Sequence, residues 1–146
     1  MCLFPACSTF FDHSLVIINM QLTNVVYLLI ALLGCHYLAD FCLTAPVMIR
    51  AKSDGRKLWP IVLHAAIHSA LMGLCLLVYG IGWRSLLILT MIELVSHFVI
   101  DVLKTRVSIR FPYLSDNRHK PYWMLYGLGQ LLHQMVVIVI WYSAIH

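Results

Sequence analysis

Charged side chains are scarce in this sequence. Asp, Glu, Lys and Arg make up 11% of its 146 residues, and only six of those are acidic, where a soluble domain carries about 25% charged residues. With 62% hydrophobic residues and a mean hydropathy of +0.87, one domain of this length has more apolar surface than it can bury against itself. Lipid must cover the excess. Other absences narrow the reading further. No C-x-x-C occurs among Cys2, Cys7, Cys35, Cys42 and Cys75. Their number is odd and three lie in apolar stretches, which argues against a disulfide framework and a thiolate metal site. No Lys or Arg precedes Arg50, so the N-terminus lacks the cationic region of a signal peptide. No basic amphipathic stretch suggests nucleic acid, and the net charge of +4 suits a membrane protein under the positive-inside rule.

What is present is four apolar stretches, each near the twenty or so residues that a spanning helix requires. They run from about Leu22 to Leu43 (Pro46 marking the end), Leu58 to Tyr79, Ser85 to Leu103, and Tyr122 to Ile145. Gly80-Ile81-Gly82 reads as a tight turn that makes the second and third an antiparallel hairpin. Arg50, Lys52, Arg56 and Lys57 follow the first span, and Lys104, Arg106, Arg110, Arg118 and Lys120 follow the third, whereas Arg84 stands alone in the turn between. The expected fold is an all-α membrane protein, a four-transmembrane-helix antiparallel bundle with two basic cytoplasmic loops and both termini outside. Trp59, Tyr122 and Trp123 then fall at the cytoplasmic interface, with Trp83 and Trp141 at the opposite one. The multi-pass chain is expected in a bacterial cytoplasmic (inner) membrane.

Residues 1–21 read as an N-terminal extension. Leu15-Val16-Ile17-Ile18 is apolar but too short to cross alone, so the segment is expected at the interface, or ahead of a translation start at Met20. Residues 22–146 form the transmembrane domain. The stretch from Thr105 to Pro121, with turn-forming Phe111-Pro112-Tyr113 and Ser115-Asp116-Asn117, reads as a long loop: a solvated tether, or else a lid.

Half of the acidic residues sit inside the apolar spans, each one helical turn from a histidine: Asp40 with His36, and Glu93 and Asp101 with His97. His64 and His68 share a face of the second span, and Gln130 and His133 lie on the fourth. At 1.5 Å per residue, Asp40 and His64 lie roughly 9 Å in from the cytoplasmic ends of their helices, and His97 roughly 10 Å. His36 and His68 lie near 15 Å and His133 near 16 Å, with Asp101 shallower. Four helices thus bring polar residues to one layer. Such groups cost roughly 2.5–3.5 kcal/mol each in hydrocarbon on insertion scales, and imidazole with carboxylate suits a divalent metal. His36, Asp40, His64, His68, His97, Asp101 and His133 are the candidate ligands. Zinc is favoured by the donor set, with iron or manganese as alternatives. Their number exceeds one tetrahedral site, so either two metals bind or some residues form an outer layer. Haem would explain the paired histidines but not the carboxylates.

The stretches His36-Tyr37-Leu38-Ala39-Asp40-Phe41 and His97-Phe98-Val99-Ile100-Asp101-Val102-Leu103-Lys104 resemble the bacterial membrane proteins grouped as domain of unknown function 3307. The resemblance spans about Leu22 to Trp141. Its marks are H-x-x-x-D-F late in the first helix, a histidine early in the second, and H-x-x-x-D-x-x-K ending the third. Gln130 and His133 match the end of a D-Q-x-x-H in the fourth. Two departures stand out: Thr44 where the family often has Gln, and Gly129 where it often has Asp. The resemblance implies a shared intramembrane polar site and brings no established activity. The Gly129 departure could open room for substrate or water.

These features favour a metal-dependent membrane hydrolase acting on a lipid-soluble or membrane-surface substrate. Glu93 would be the catalytic base or an outer acceptor. Gln130 would support the ligands, and Lys104 would either attract an anionic headgroup or simply end its helix at the interface. Two other classes compete. One is proton or metal-ion transport, against which the outer halves of the helices offer almost nothing polar. The other is a structural or accessory protein whose polar network fixes helix packing. The bilayer is the one certain partner, and a homo-oligomer is compatible with the pattern.

Overall fold

The computed structural model describes the backbone of Ala6–His146, and side chains from Leu22 onward. All regular structure among the described residues is helical: α1 (Ala6–Tyr37), a π-helical turn (Leu38–Cys42), α2 (Pro46–Asp54), α3 (Trp59–Tyr79), α4 (Trp83–Arg110), a 3₁₀ turn (Pro112–Leu114) and α5 (Lys120–Ile145). Four of these helices contain stretches long and apolar enough to cross a membrane, Leu22–Cys42, Trp59–Tyr79, Trp83–Arg110 and Lys120–Ile145. Residues 6–21 extend α1 as continuous helix. Their side chains, and the expected interfacial placement of residues 1–21, lie outside the described residues.

Local chemistry sets the boundaries. Proline opens α2, α3 and α5 in the first turn, where its missing N–H costs nothing. Gly55 (φ 62°) and Gly80 (φ 91°) close α2 and α3 in the left-handed conformation, which glycine adopts without a Cβ penalty. Gly80 thereby produces the expected hairpin between α3 and α4. The helix of the first span ends in a π turn at Cys42, one residue short of the expected Leu43 and ahead of Pro46. The Thr44 hydroxyl takes up the freed backbone, donating to the carbonyls of Asp40 (2.8 Å) and Ala39 (3.0 Å).

The sequence reading needs correcting at both basic connections. The first holds a nine-residue helix, α2, whose Met48 and Ala51 are buried against α3 and α4. The second is neither a tether nor a lid of seventeen residues, because α4 continues to Arg110 and carries Thr105, buried, inside it. What remains is folded onto the ends of α4 and α5. Ser115 donates to Ser108 O (3.2 Å), and the Trp123 indole donates to Asn117 O (2.9 Å). The Arg118 guanidinium and backbone N–H, all bonded to Asp116, hold that carboxyl below its ordinary pKa.

In section the bundle runs α1–α3–α4–α5 and back to α1. The end of α1 meets the start of α3 (Asp40 with His64), and the last third of α4 meets α5 (Asp101 with His133), so neighbouring helices alternate in direction. Burial is inverted relative to a soluble protein. Val78 is 81% exposed and Met124 64% exposed, while His64, His68, Glu93, His97 and Asp101 are 0–2% exposed. Toward the end remote from the basic loops the centre is apolar, with Leu28, Leu32, Met72, Leu76, Leu89, Val137 and Ile140 in one cluster. Trp141, expected at the interface there, packs inward on this cluster and donates to Val25 O (2.8 Å).

Lipid tails are as apolar as leucine, so helices associate in a membrane through close packing and interhelical hydrogen bonds. The α3–α4 seam shows both. Ser69 Oγ donates to Thr90 O (2.7 Å), and a Cβ on Gly73 would stand 2.7 Å from Thr90 Cγ2. Thr90 is β-branched and tied to Leu86 O (2.8 Å), so it yields poorly. Gly73→Ala is therefore expected to cost about 1–3 kcal/mol and lower the melting temperature in detergent. Gly34→Ala, with nothing within 4 Å, should leave it unchanged or raised. Equal melting temperatures for the two variants would contradict this seam.

Candidate metal centre

The inward faces of the four long helices carry one polar cluster. From α1 and its π turn come His36 and Asp40, from α3 His64 and His68, from α4 Glu93, His97 and Asp101, and from α5 Gln130 and His133. The i, i+4 spacing puts each pair on one face, and the bundle brings those faces together. All seven expected ligands and Glu93 meet here, His36 (5% exposed) and His133 (3%) included.

Five imidazoles form the centre. His68 and His97 have ring centroids 3.8 Å apart, His97 and His133 4.0 Å, His64 and His68 4.6 Å, and His36 and His68 4.7 Å. Carboxylates surround them. Asp40 Oδ1 lies 3.2 Å from His64 Nε2 and 3.4 Å from His68 Nε2, and Asp40 Oδ2 lies 3.5 Å from His36 Nε2. Asp101 Oδ2 is 3.7 Å from His97 Nε2 and 3.8 Å from His64 Nε2, and Asp101 Oδ1 is 3.6 Å from His133 Nε2. Several of these approaches are too long or too poorly aligned for hydrogen bonds. Both ring nitrogens of His36, both of His68 and Nε2 of His97 are buried with no hydrogen-bond partner among the described residues. Buried polar atoms are nearly always satisfied, and the Nε2 atoms of these three rings, each within 3.7 Å of Asp40 or Asp101, could serve as ligands to a cation.

Other contacts orient those donors. Glu93 Oε1 lies 3.2 Å from His97 Nδ1, a carboxylate–histidine pair that places the proton on Nδ1 and leaves Nε2 free to ligate. Thr44 already donates to a carbonyl, so its oxygen is a lone-pair acceptor for His64 Nδ1, 3.4 Å away. On its other side His64 Nε2 hydrogen-bonds Asp40 Oδ1 (3.2 Å), and since a carboxylate only accepts, the Nε2 proton faces Asp40 until a cation takes its place. Gln130 Nε2 donates to Asp40 Oδ2 (2.8 Å), the supporting role expected of it. Three overlapping groups could hold a metal, each with its donor atoms within 4.8 Å of one another: His36, His68, Glu93 and His97; Asp40, His64, His68 and His97; and His97, Asp101 and His133.

Two side chains alter the expected picture. Lys52, on α2, reaches the cluster from the basic side with Nζ 2.6 Å from Asp101 Oδ2. Within the basic connection it reads only as a topology signal. Proline at the start of Pro46–Asp54, glycine after it, and Met48 and Ala51 on one side would have revealed a helix able to present it. Lys104 does not end its helix. A Cβ on Gly129 would meet Lys104 Cδ at 2.9 Å, so the lysine stem fills the room expected for substrate or water, and Nζ stands 4.9 Å from the Tyr126 ring centre. A separate cleft of about 300 Å³, lined by Leu33, His36, Tyr37, Phe41, Gln130, Gln134 and Ile138, opens on the side of the bundle where α1 and α5 meet.

Asp101 is 2% exposed and Lys52 20% exposed, so removing the ammonium strands a buried charge. In metal-free protein Lys52→Met is expected to cost up to about 3 kcal/mol, read from denaturant or thermal unfolding in detergent. Exposed Lys57→Met should cost less than about 0.5 kcal/mol. Indistinguishable stabilities for the two variants would mean that Asp101 does not depend on Lys52.

A family model described as "Protein of unknown function (DUF3307)" matches residues 28–146, a stretch that includes every side chain of this cluster. No curated protein and no solved structure matches the chain. With nearly the whole described bundle inside that match, the chain belongs to the DUF3307 family, proteins of unknown function.

Proposed function

We propose that this protein is a metal-dependent hydrolase of the bacterial cytoplasmic membrane, with one or two divalent ions held by His36, Asp40, His64, His68, His97, Asp101 and His133. The observation that carries the reading is the set of three Nε2 atoms, of His36, His68 and His97, that have no hydrogen-bond partner among the described residues and face Asp40 or Asp101. Charge supports it. Counted as ionised, Asp40, Glu93 and Asp101 bring three negative charges, and among the described residues Lys52 is the one ammonium in ion-pair contact with them. A divalent ion balances the remainder, which hydrocarbon cannot. Imidazole with carboxylate and no thiolate favours zinc, then iron or manganese.

A divalent metal in such a site polarises a scissile bond and activates water at neutral pH. The residues of the chain supply the rest. Glu93, paired with His97, is the base available to take a proton from water. Gln130 fixes Asp40. The α1–α5 cleft gives a substrate dissolved in lipid a sideways path to His36, lined by Tyr37 and Phe41 on one side and Gln130 and Gln134 on the other. Among the described residues, the apolar cluster beyond the site leaves an ion no polar path across a single chain, which favours hydrolysis over transport.

Elemental mass spectrometry of detergent-purified protein tests the centre. Wild type is expected to hold at least one zinc, iron or manganese ion per chain. A folded His64→Ala/His97→Ala variant should hold less than about a tenth of that, since two ligands are lost. Folded wild type that stays empty after reconstitution overturns the reading. The orientation is tested separately. In a cysteine-free background, Arg56→Cys and Arg118→Cys are expected to resist an impermeant maleimide added outside intact cells, and Gly82→Cys to react. The reverse pattern would place the basic loops outside.

A further inference from the structure

A second cleft of about 300 Å³ lies on the basic side of the metal centre, between α2, α4 and α5. Its walls carry two lysines, Lys52 and Lys104, and no carboxylate. Lys52 is engaged behind the wall with Asp101. Lys104 has no carboxylate within ion-pair distance among the described residues, and its position is imposed by packing over Gly129 and Tyr126. A lysine free to choose would extend its ammonium into water. The hydroxyls divide by what they already do. Ser53 and Ser115 donate to the carbonyls of Ile49 and Ser108. Those of Ser108, Tyr122 and Tyr126 make no hydrogen bond among the described residues and remain as donors.

One ammonium free of a carboxylate partner among the described residues (Lys104), three unspent hydroxyl donors and no carboxylate in the wall define an anion site. We propose that this cleft binds the phosphate group of the substrate, with Lys104 as the main cation and Ser108, Tyr122 and Tyr126 as neutral donors. Lys52 links the site to the cluster, because the residue lines the cleft while its ammonium contacts a candidate ligand, Asp101. Ile49, Leu114 and Leu125 give the cleft apolar walls, which suit a phosphate carried on an apolar body. The phosphate belongs either to a lipid headgroup or to a soluble phosphate ester. The binding stands without the metal centre, and only the substrate role rests on the hydrolase reading.

Purified full-length protein in phosphatidylcholine nanodiscs, titrated with inorganic phosphate by calorimetry, tests this directly. A parallel preparation with phosphatidic acid, read by native mass spectrometry, measures retention of that lipid over phosphatidylcholine. Lys104→Met keeps the stem over Gly129 and is expected to weaken binding by about tenfold or more. Tyr126→Phe, which keeps the ring, should weaken it by about threefold. Lys120→Met, the same charge change outside the cleft, should stay within about twofold. Saturable binding of inorganic phosphate supports the site and points to a soluble ester. Lys104-dependent retention of phosphatidic acid alone supports it and points to a headgroup. Absence of both, or equal losses in Lys104→Met and Lys120→Met, overturns it. Metal content measured on the same samples separates the two readings: wild type that binds phosphate but no metal keeps the anion site and removes the hydrolase.

Discussion

Hydrocarbon offers a carboxylate no hydrogen bond and no counter-ion, and Asp40 meets that constraint by drawing in three of the four long helices. His36 approaches it from its own helix, His64 and His68 from α3, and Gln130 from α5. Asp101 does the same for the other side, gathering His97 from its own helix, His64 from α3, His133 from α5 and Lys52 from α2. His64 lies between the two carboxylates. The basic half of the bundle is therefore arranged around the needs of buried charge, and the π turn and α2 are both parts of that arrangement. The widened turn holds Asp40 and delivers Thr44 to His64, and α2 exists as a helix at the place where Asp101 requires a cation.

The other half of the bundle obeys a different rule. There the helices meet through Leu28, Leu32, Met72, Leu76, Leu89, Val137 and Ile140, with the Trp141–Val25 hydrogen bond and the Gly73–Thr90 approach as local ties. Because lipid and core are equally apolar, this half gains from fit and not from expulsion of water. The division gives the molecule a polar end and an apolar end. Clefts occur along both, but those with walls of histidine, glutamine or lysine open at the polar end and on its flank, while the groove between α3 and α4 is walled mainly by leucine, alanine and glycine.

Much of the site was legible in the sequence because helical periodicity is rigid. Once His36 and Asp40, His64 and His68, or His97 and Asp101 are placed on helices, the i, i+4 rule fixes their shared face, and the rise per residue fixes their depth. The four spans followed from length and hydropathy alone. What escaped depends on contacts between segments far apart in the chain. Lys52 looked like one charge in a basic loop because its meaning comes from Asp101, forty-nine positions away. Gly129 looked like open space because the side chain that fills it belongs to another helix. The π turn was invisible because it depends on where Thr44 finds its acceptors. The extension of α4 to Arg110 was hidden by its own charges, which on composition end a span and in three dimensions simply carry the helix beyond it.

The three overlapping ligand groups are not equivalent in what they can survive. Removing His36 or Glu93 leaves two of them whole, and removing Asp40, His64, Asp101 or His133 does the same. Loss of His68 still spares the trio of His97, Asp101 and His133. His97 alone is common to all three. In the language of reliability, seven of the eight positions have a geometric stand-in and the eighth, His97, is the single point through which every such grouping passes.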